Sequence, residues 1–195
     1  FEFAFAVETR SFMKNMTTRL SELSAERINI EIDKILEAED PNFGLTELKS
    51  LTILKHLAPE IAFVPEKFRT KSVEARVIEW MSANNATRGC LVSLCERFKL
   101  SKKRRKALLA AHQLIGIQFV TPEIAIDTMM QLGWLRGNEP DASLDSIFRE
   151  LDRAQITPIP VMTWLEYREL VRSVTFKSID NQGLSGTELG KAIYT

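Results

Sequence analysis

Residues 23–41 read LSAERINIEIDKILEAEDP. Ile28, Ile32, Ile35 and Leu36 recur three and four apart, the period of one buried helix face. Ser24 stands where an N-cap hydroxyl would meet the first free amides, and Glu26 faces the positive end of the helix. Pro41 reads as the end of the element.

The same period governs both flanks. Phe12, Met13, Met16 and Leu20 predict a helix over 7–20. FGLTELKSLTILKHLAPEI (43–61) reads as one further helix, with Leu48, Leu51, Ile53 and Leu54 apolar and Pro59 closing it. AFVPEKFRTK (62–71) is linker-like, and SVEARVIEWMSA (72–83) is helical up to a break at 84–89. CLVSLCERF (90–98) gives a fifth helix, and Ser101 caps a sixth that stops near Gly116. TPEIAIDTMMQLG (121–133) carries Pro at a first helical turn and Gly at its end. After the loop GNEPDAS (137–143) comes a helix over 143–154. Two prolines make ITPIPVMTW (156–164) extended, and helices over 163–174 and 183–193 complete the chain. No long stretch alternates like a strand. The expectation is an all-α fold of about ten short helices in an elongated helical array.

Lys+Arg and Asp+Glu both number 26, so the net charge is zero and any attraction to nucleic acid must come from a local cluster. Cys90 and Cys95 suggest no disulfide framework, which fits a reducing compartment, the cytoplasm. No apolar run approaches the roughly 20 residues that span a bilayer. FEFAFAVETRSF (1–12) contains Glu2 and Glu8 and lacks a basic start, so it reads as the interior of a longer chain and not as a signal peptide.

Catalytic signatures are missing. His56 and His112 have no ligand-spaced partner and read as structural. No Gly-rich phosphate loop of the dinucleotide or P-loop type exists. Cys95 lacks a partner His and reads as core, and Glu37, Glu39 and Asp40 read as a solvated helix end. No residue is nominated as catalytic or as a metal ligand.

One charge feature stands out. Arg97, Lys99, Lys102, Lys103, Arg104, Arg105 and Lys106 cluster at the start of the sixth helix, beside Glu96 alone. Lys102, Arg105 and Lys106 share a face, with Ala107, Leu108, Ala111, Leu114 and Ile115 on the buried side. Such a cluster is either a solvated face or a grip on phosphodiesters, helped by the helix dipole. In GLSGTELGKAI (183–193), the amides around Gly186 and Thr187 are either a second phosphate contact or a plain helix start.

The order of these pieces resembles the region following the catalytic head in bacterial-type tRNA nucleotidyltransferases and poly(A) polymerases. There the pattern runs roughly GFxhxPeTxxAIxxxxxxLxxhSxERhxxELxKhL, with h apolar. Phe3, Ala6, Glu8 and Thr9 fall on its first part, with Glu2 for its Gly and Val7 for its Pro. Leu20, Ser24, Glu26, Arg27, Glu31, Lys34 and Leu36 fall on the rest without a gap. Pro41, Gly44, Leu45, Leu48, Leu54, Pro59 and Glu60 resemble the next segment, with Thr52-Ile53 in place of a second Gly-Leu. RFKLSKKRRKAL (97–108) and the 183–193 stretch resemble later steps, Ser185 and Thr187 standing for two prolines. Little aligns between Thr121 and Val174.

The resemblance implies a head upstream of Phe1 carrying the metal-binding carboxylates, with Mg²⁺ and CTP or ATP as its cofactor and substrates. The full enzyme would be a transferase adding CCA to tRNA ends without a template, or part of that triplet, or poly(A). This chain would comprise a neck remainder and first body helices (1–63), a body with the basic helix (64–137) and a tail (138–195). It would hold the acceptor and T arms of tRNA through Arg97, Lys99, Lys102, Lys103, Arg105, Lys106, Gly186 and Thr187, without cofactors of its own. Glu26 and Arg27 would support the nucleotide pocket indirectly. The competing readings are a helical protein-interaction module with no nucleic-acid role, and a helix-turn-helix DNA binder. The second lacks Asn or Gln suitably placed to read bases.

Overall fold

Hydroxyl caps punctuate the described chain. Ser24, Ser72, Thr87, Ser101 and Thr121 each accept a bond from the backbone amide three residues on, so that each starts a helix. In the computed structural model, which describes residues 5–133 and 142–173, every regular element is helical. These are α1 (Val7–Asn15), a 3-10 helix (Thr17–Glu22), α2 (Ala25–Glu37), α3 (Pro41–Ser50), α4 (Ile53–Leu57), α5 (Val73–Ala83) and α6 (Arg88–Arg97). They are followed by α7 (Lys102–Ile115), α8 (Pro122–Leu132), α9 (Ala142–Arg153) and α10 (Val161–Ser173).

Several boundaries differ from the sequence reading. The helix expected over 7–20 gives way after Asn15 to the 3-10 helix, and α6 begins at Arg88, inside the break expected over 84–89. Pro41 opens α3 instead of ending α2, because Asp40 accepts the amide of Asn42 and Pro occupies a first-turn position. The helix expected over 43–61 breaks at Thr52, whose φ of 64° is left-handed and turns α4 away from α3. The stretch expected to be extended to Trp164 turns helical at Val161, directly after Pro160, since a proline obstructs the turn before it and not the one after. The loop around Asn138 and the helix expected over 183–193, with Gly186 and Thr187, lie outside the described residues.

The chain divides into two compact units, Phe1–His112 and Gln113–Thr195. In the first, α2 packs on α3 and α5, and α4 packs on α3 and the 3-10 helix. Leu36, Leu45, Leu51, Leu54, Ile78 and Leu91 are fully buried there. In the second, α10 packs on α8 and α9, around Met129, Phe148, Leu151 and Trp164.

The α2–α3 contact depends on a missing side chain. A Cβ at Gly44 would lie 2.8 Å from Cγ2 of Ile35. That methyl belongs to a β-branched residue on a helix, which has little freedom to move aside. Gly44→Ala is expected to lower the unfolding free energy by about 1–3 kcal/mol, despite alanine's better helix propensity. Urea unfolding followed by circular dichroism measures it; an unchanged or higher midpoint would mean the two helices are less tightly apposed.

Two buried charges on α5 fix the segment ahead of it. Glu79, 5% exposed, accepts bonds from the amides of Arg69 and Thr70 and from the Thr70 hydroxyl at 2.7 Å. Arg76, 6% exposed, donates to the Thr70 carbonyl and to the last carbonyls of α2, at Leu36 and Ala38. One buried guanidinium thus caps α2 and anchors the approach to α5. Residues 62–71, linker-like in sequence, are bonded to α5 at 63, 69 and 70.

Candidate nucleic-acid interface

The α7 start is built from Ser101, whose hydroxyl accepts the Arg104 amide at 3.2 Å, with no acidic residue in the first turn. Ala107, Leu108, Ala110, Ala111 and Leu114 bury one side of the helix. Lys102, Lys103 and Lys106 are exposed on the other and form no ion pair among the described residues. Cations at a helix N-terminus oppose the macrodipole, each at a cost of about 0.3–1 kcal/mol. Three lysines without an ion pair among the described residues give that end a local positive potential.

The neighbouring arginines behave differently. Arg97 forks onto Glu60 at 2.7 and 2.9 Å and donates to the Leu57 carbonyl. Arg104 forks onto Asp33 of α2 at 2.6 and 2.7 Å and ion-pairs with Glu74 of α5 at 3.0 Å. Arg105, expected to share an outward face with Lys102 and Lys106, is paired with Glu96 at 3.1 Å. Lys99 holds Glu26 at 3.2 Å. Arg27 lies elsewhere, lining an apolar groove of about 530 Å³ with Leu20, Leu23, Ile28 and Leu48. Leu23 and Ile30 on that groove are half exposed.

The structure therefore sorts the nominated cluster. The guanidiniums have planar forks suited to carboxylates and are spent tying helices together, while Lys102, Lys103 and Lys106 remain outward. Further cations escaped the sequence reading: Lys67, Arg69, Lys71 and Arg88 are exposed as well. Their signal was countable. Residues 67–106 hold twelve Lys and Arg against three Asp and Glu, a net charge of +9 in a chain that sums to zero.

The Arg97–Glu60 pair makes stability depend on acidity. Hydrogen bonds from the Arg97 guanidinium hold the Glu60 carboxyl below the usual carboxylate range, against the opposing effect of burial. A carboxylate lowered in the folded state contributes fully above its unfolded value of about 4.3 and loses that contribution as pH falls through the folded value. Glu60→Gln is therefore expected to melt lower than wild type at pH 7, with the gap narrowing below about pH 4. Paired thermal melts from pH 7 to pH 3 check this; a gap independent of pH would dissociate the pair from stability.

Cys95 and the two histidines of the described residues are held as structural groups or left in solvent. Cys95 is buried and its burial pushes the thiol up, away from the reactive thiolate. His112 Nε2 meets the Ala86 carbonyl at 2.9 Å, and His56 is exposed. Among the described residues no three His, Cys, Asp or Glu side chains gather as a metal site, and no helix is long and apolar enough to cross a membrane.

Residues 2–64 match the family described as the probable RNA- and SrmB-binding site of polymerase A. The CCA-adding enzyme of Actinobacillus succinogenes is 33% identical over 122 residues, which cover 62% of this chain and 27% of that enzyme. The chain thus spans about a quarter of the length of that curated relative. No solved structure matches it.

Proposed function

We propose that this chain, similar over residues 2–64 to the RNA-binding region of polymerase A and over 122 residues to a CCA-adding enzyme, is the RNA-holding part of a template-independent tRNA nucleotidyltransferase. Its task is to grip the acceptor and T arms by shape and phosphate while a separate catalytic head extends the 3′ end. The observation that carries this reading is the outward triplet Lys102, Lys103 and Lys106 at the positive end of α7. Amines on flexible stems at a helix N-terminus suit phosphate oxygens and read no base edge.

In the head, Mg²⁺ would assist transfer of the nucleotidyl group of CTP or ATP to the RNA 3′ hydroxyl, with pyrophosphate leaving. The side chains described here do not fit that chemistry, lacking a gathered set of metal ligands. Alone, the chain is inactive in this reading. The apolar groove beside Arg27 is the surface we assign to the head, since Leu23 and Ile30 on it leave large apolar area in water. Gly186 and Thr187 in the tail would add a second phosphate contact. The setting is cytoplasmic, where tRNA is processed.

The test is binding of a fluorescent tRNA minihelix (acceptor and T arm) to the full chain between 50 and 200 mM KCl. Binding should weaken with a clear negative slope of log K against log salt. No binding even with a catalytic head supplied, or binding indifferent to salt, would overturn the reading in favour of a protein-interaction module.

A further inference from the structure

The apolar groove of about 530 Å³ in the first unit has a closed floor and open lips. Ile32 and Leu57 on it are buried, while Leu23 and Ile30 are 50% and 52% exposed. Its α2 wall runs from Arg27 to Ile35, about 12 Å of helix at 1.5 Å per residue. That length accepts the side chains i, i+4 and i+7 of a second helix, which span about 10 Å. Arg27 is exposed on the same wall and forms no ion pair among the described residues. From these observations we infer that the groove receives one amphipathic helix of the catalytic head, with apolar residues three and four apart laid along the groove and a carboxylate meeting Arg27. The inference rests on the assignment of this groove to the head made above and names the chemistry of its occupant.

The charges around the groove favour an acidic partner. The acids of the 3-10 helix and most of those of α2 already have counter-ions: Glu22 pairs with Arg19, Glu26 with Lys99, Glu31 with Lys34 and Asp33 with Arg104. On α3, Glu47 pairs with Arg10. The short α4 holds no acid, only Lys55 and His56, both exposed. Glu8, Glu37, Glu39, Asp40 and Glu66 form no ion pair among the described residues, and none of them lines the groove. Glu37, at the end of α2, lies about 15 Å along the helix from Arg27. Arg27 is therefore the lining charge without a counter-ion, and an entering helix strips water from it. A helix without a carboxylate there would cover that cation unpaired, which is costly. RNA is a poor occupant, because one guanidinium among apolar side chains offers no run of phosphate contacts.

The experiment titrates the full chain with two fluorescent helical peptides at 0.1 M KCl. Both carry leucines three and four apart; one is flanked by glutamates and the other by lysines. Wild type should bind the glutamate peptide about fivefold tighter than the lysine peptide, and Arg27→Glu should reverse that order. Ile30→Asn should weaken both peptides about threefold or more. Because acidic peptides are also drawn to α7, the same pair is run on Lys102→Ala/Lys103→Ala/Lys106→Ala, where the preference should persist. A preference lost in that variant belongs to α7 and overturns the inference. So does equal binding of the two peptides, an order unchanged by Arg27→Glu, or no binding at all. Sedimentation of the chain alone covers the remaining occupant: a dimer abolished by Ile30→Asn would give the groove to a second copy and overturn the head helix. The tRNA minihelix is titrated alongside. If it binds while the peptides fail, the groove assignment falls and the RNA-holding role stands; if the peptides behave as expected and the minihelix does not bind, the RNA-holding role falls and the groove chemistry stands.

Discussion

Replacing Glu79 by alanine is expected to lower the unfolding free energy of the first unit by about 3–5 kcal/mol, the largest loss we foresee from a single substitution. The carboxylate is 5% exposed and satisfies two backbone amides and one hydroxyl at once. Its removal leaves the buried Thr70 amide and hydroxyl unpaired, at about 1–3 kcal/mol each, together with the cavity left by its stem. Arg69 loses a charged contact but reaches water, so its share is small. Glu79→Gln keeps an acceptor oxygen and the volume, and should cost about half as much. Chemical unfolding measures both; a loss under 1 kcal/mol for alanine would mean that the loop over 67–71 is held by something other than this clamp.

Removing Lys102, Lys103 and Lys106 together is the second large effect, and it falls on binding instead of stability. If each contributes one phosphate contact, the log–log slope drops by about two to three, and affinity at 0.1 M salt falls about a hundredfold. Melting temperature should stay level or rise, because three cations opposing the dipole have gone and none of them forms an ion pair among the described residues. Arg104→Ala should give the reverse profile: Asp33 and Glu74 are left facing each other without their shared cation, and stability falls before any RNA is added. If the lysine variant melted well below wild type, the division between lysines and arginines would be wrong.

Local rules carried much of the helix pattern. Ser24, Ser101, Thr121 with Pro122, and Gly133 at φ 68° each mark an element end where their chemistry says it should fall. Thr52 was illegible because a β-branched residue seldom adopts a left-handed φ, and neither Gly nor Pro announces the break. The pairings were illegible for a different reason. Arg97 meets Glu60 across 37 residues and Arg104 meets Asp33 across 71, contacts that depend on how helices stack and not on their own periodicity. Without them, the arginines and lysines of the run read alike, as a solvated face or as phosphate contacts. The order of 62–71 was hidden by its linker-like composition, because the two buried groups that hold it, Arg76 and Glu79, lie on the following helix and meet it only in the fold.

The sorting of cations by partner has a consequence for how this surface can change. Asp33, Glu60 and Glu96 each hold a particular guanidinium, so those arginines are committed one by one to fixed neighbours. The lysines at the head of α7 answer to no neighbour in the described chain. They act as a sum, and a lysine lost at one position can be replaced by one gained a turn away. Mutational tolerance should therefore differ sharply within five adjacent positions: intolerant at Arg104, permissive at Lys102, Lys103 and Lys106 so long as their total charge is kept.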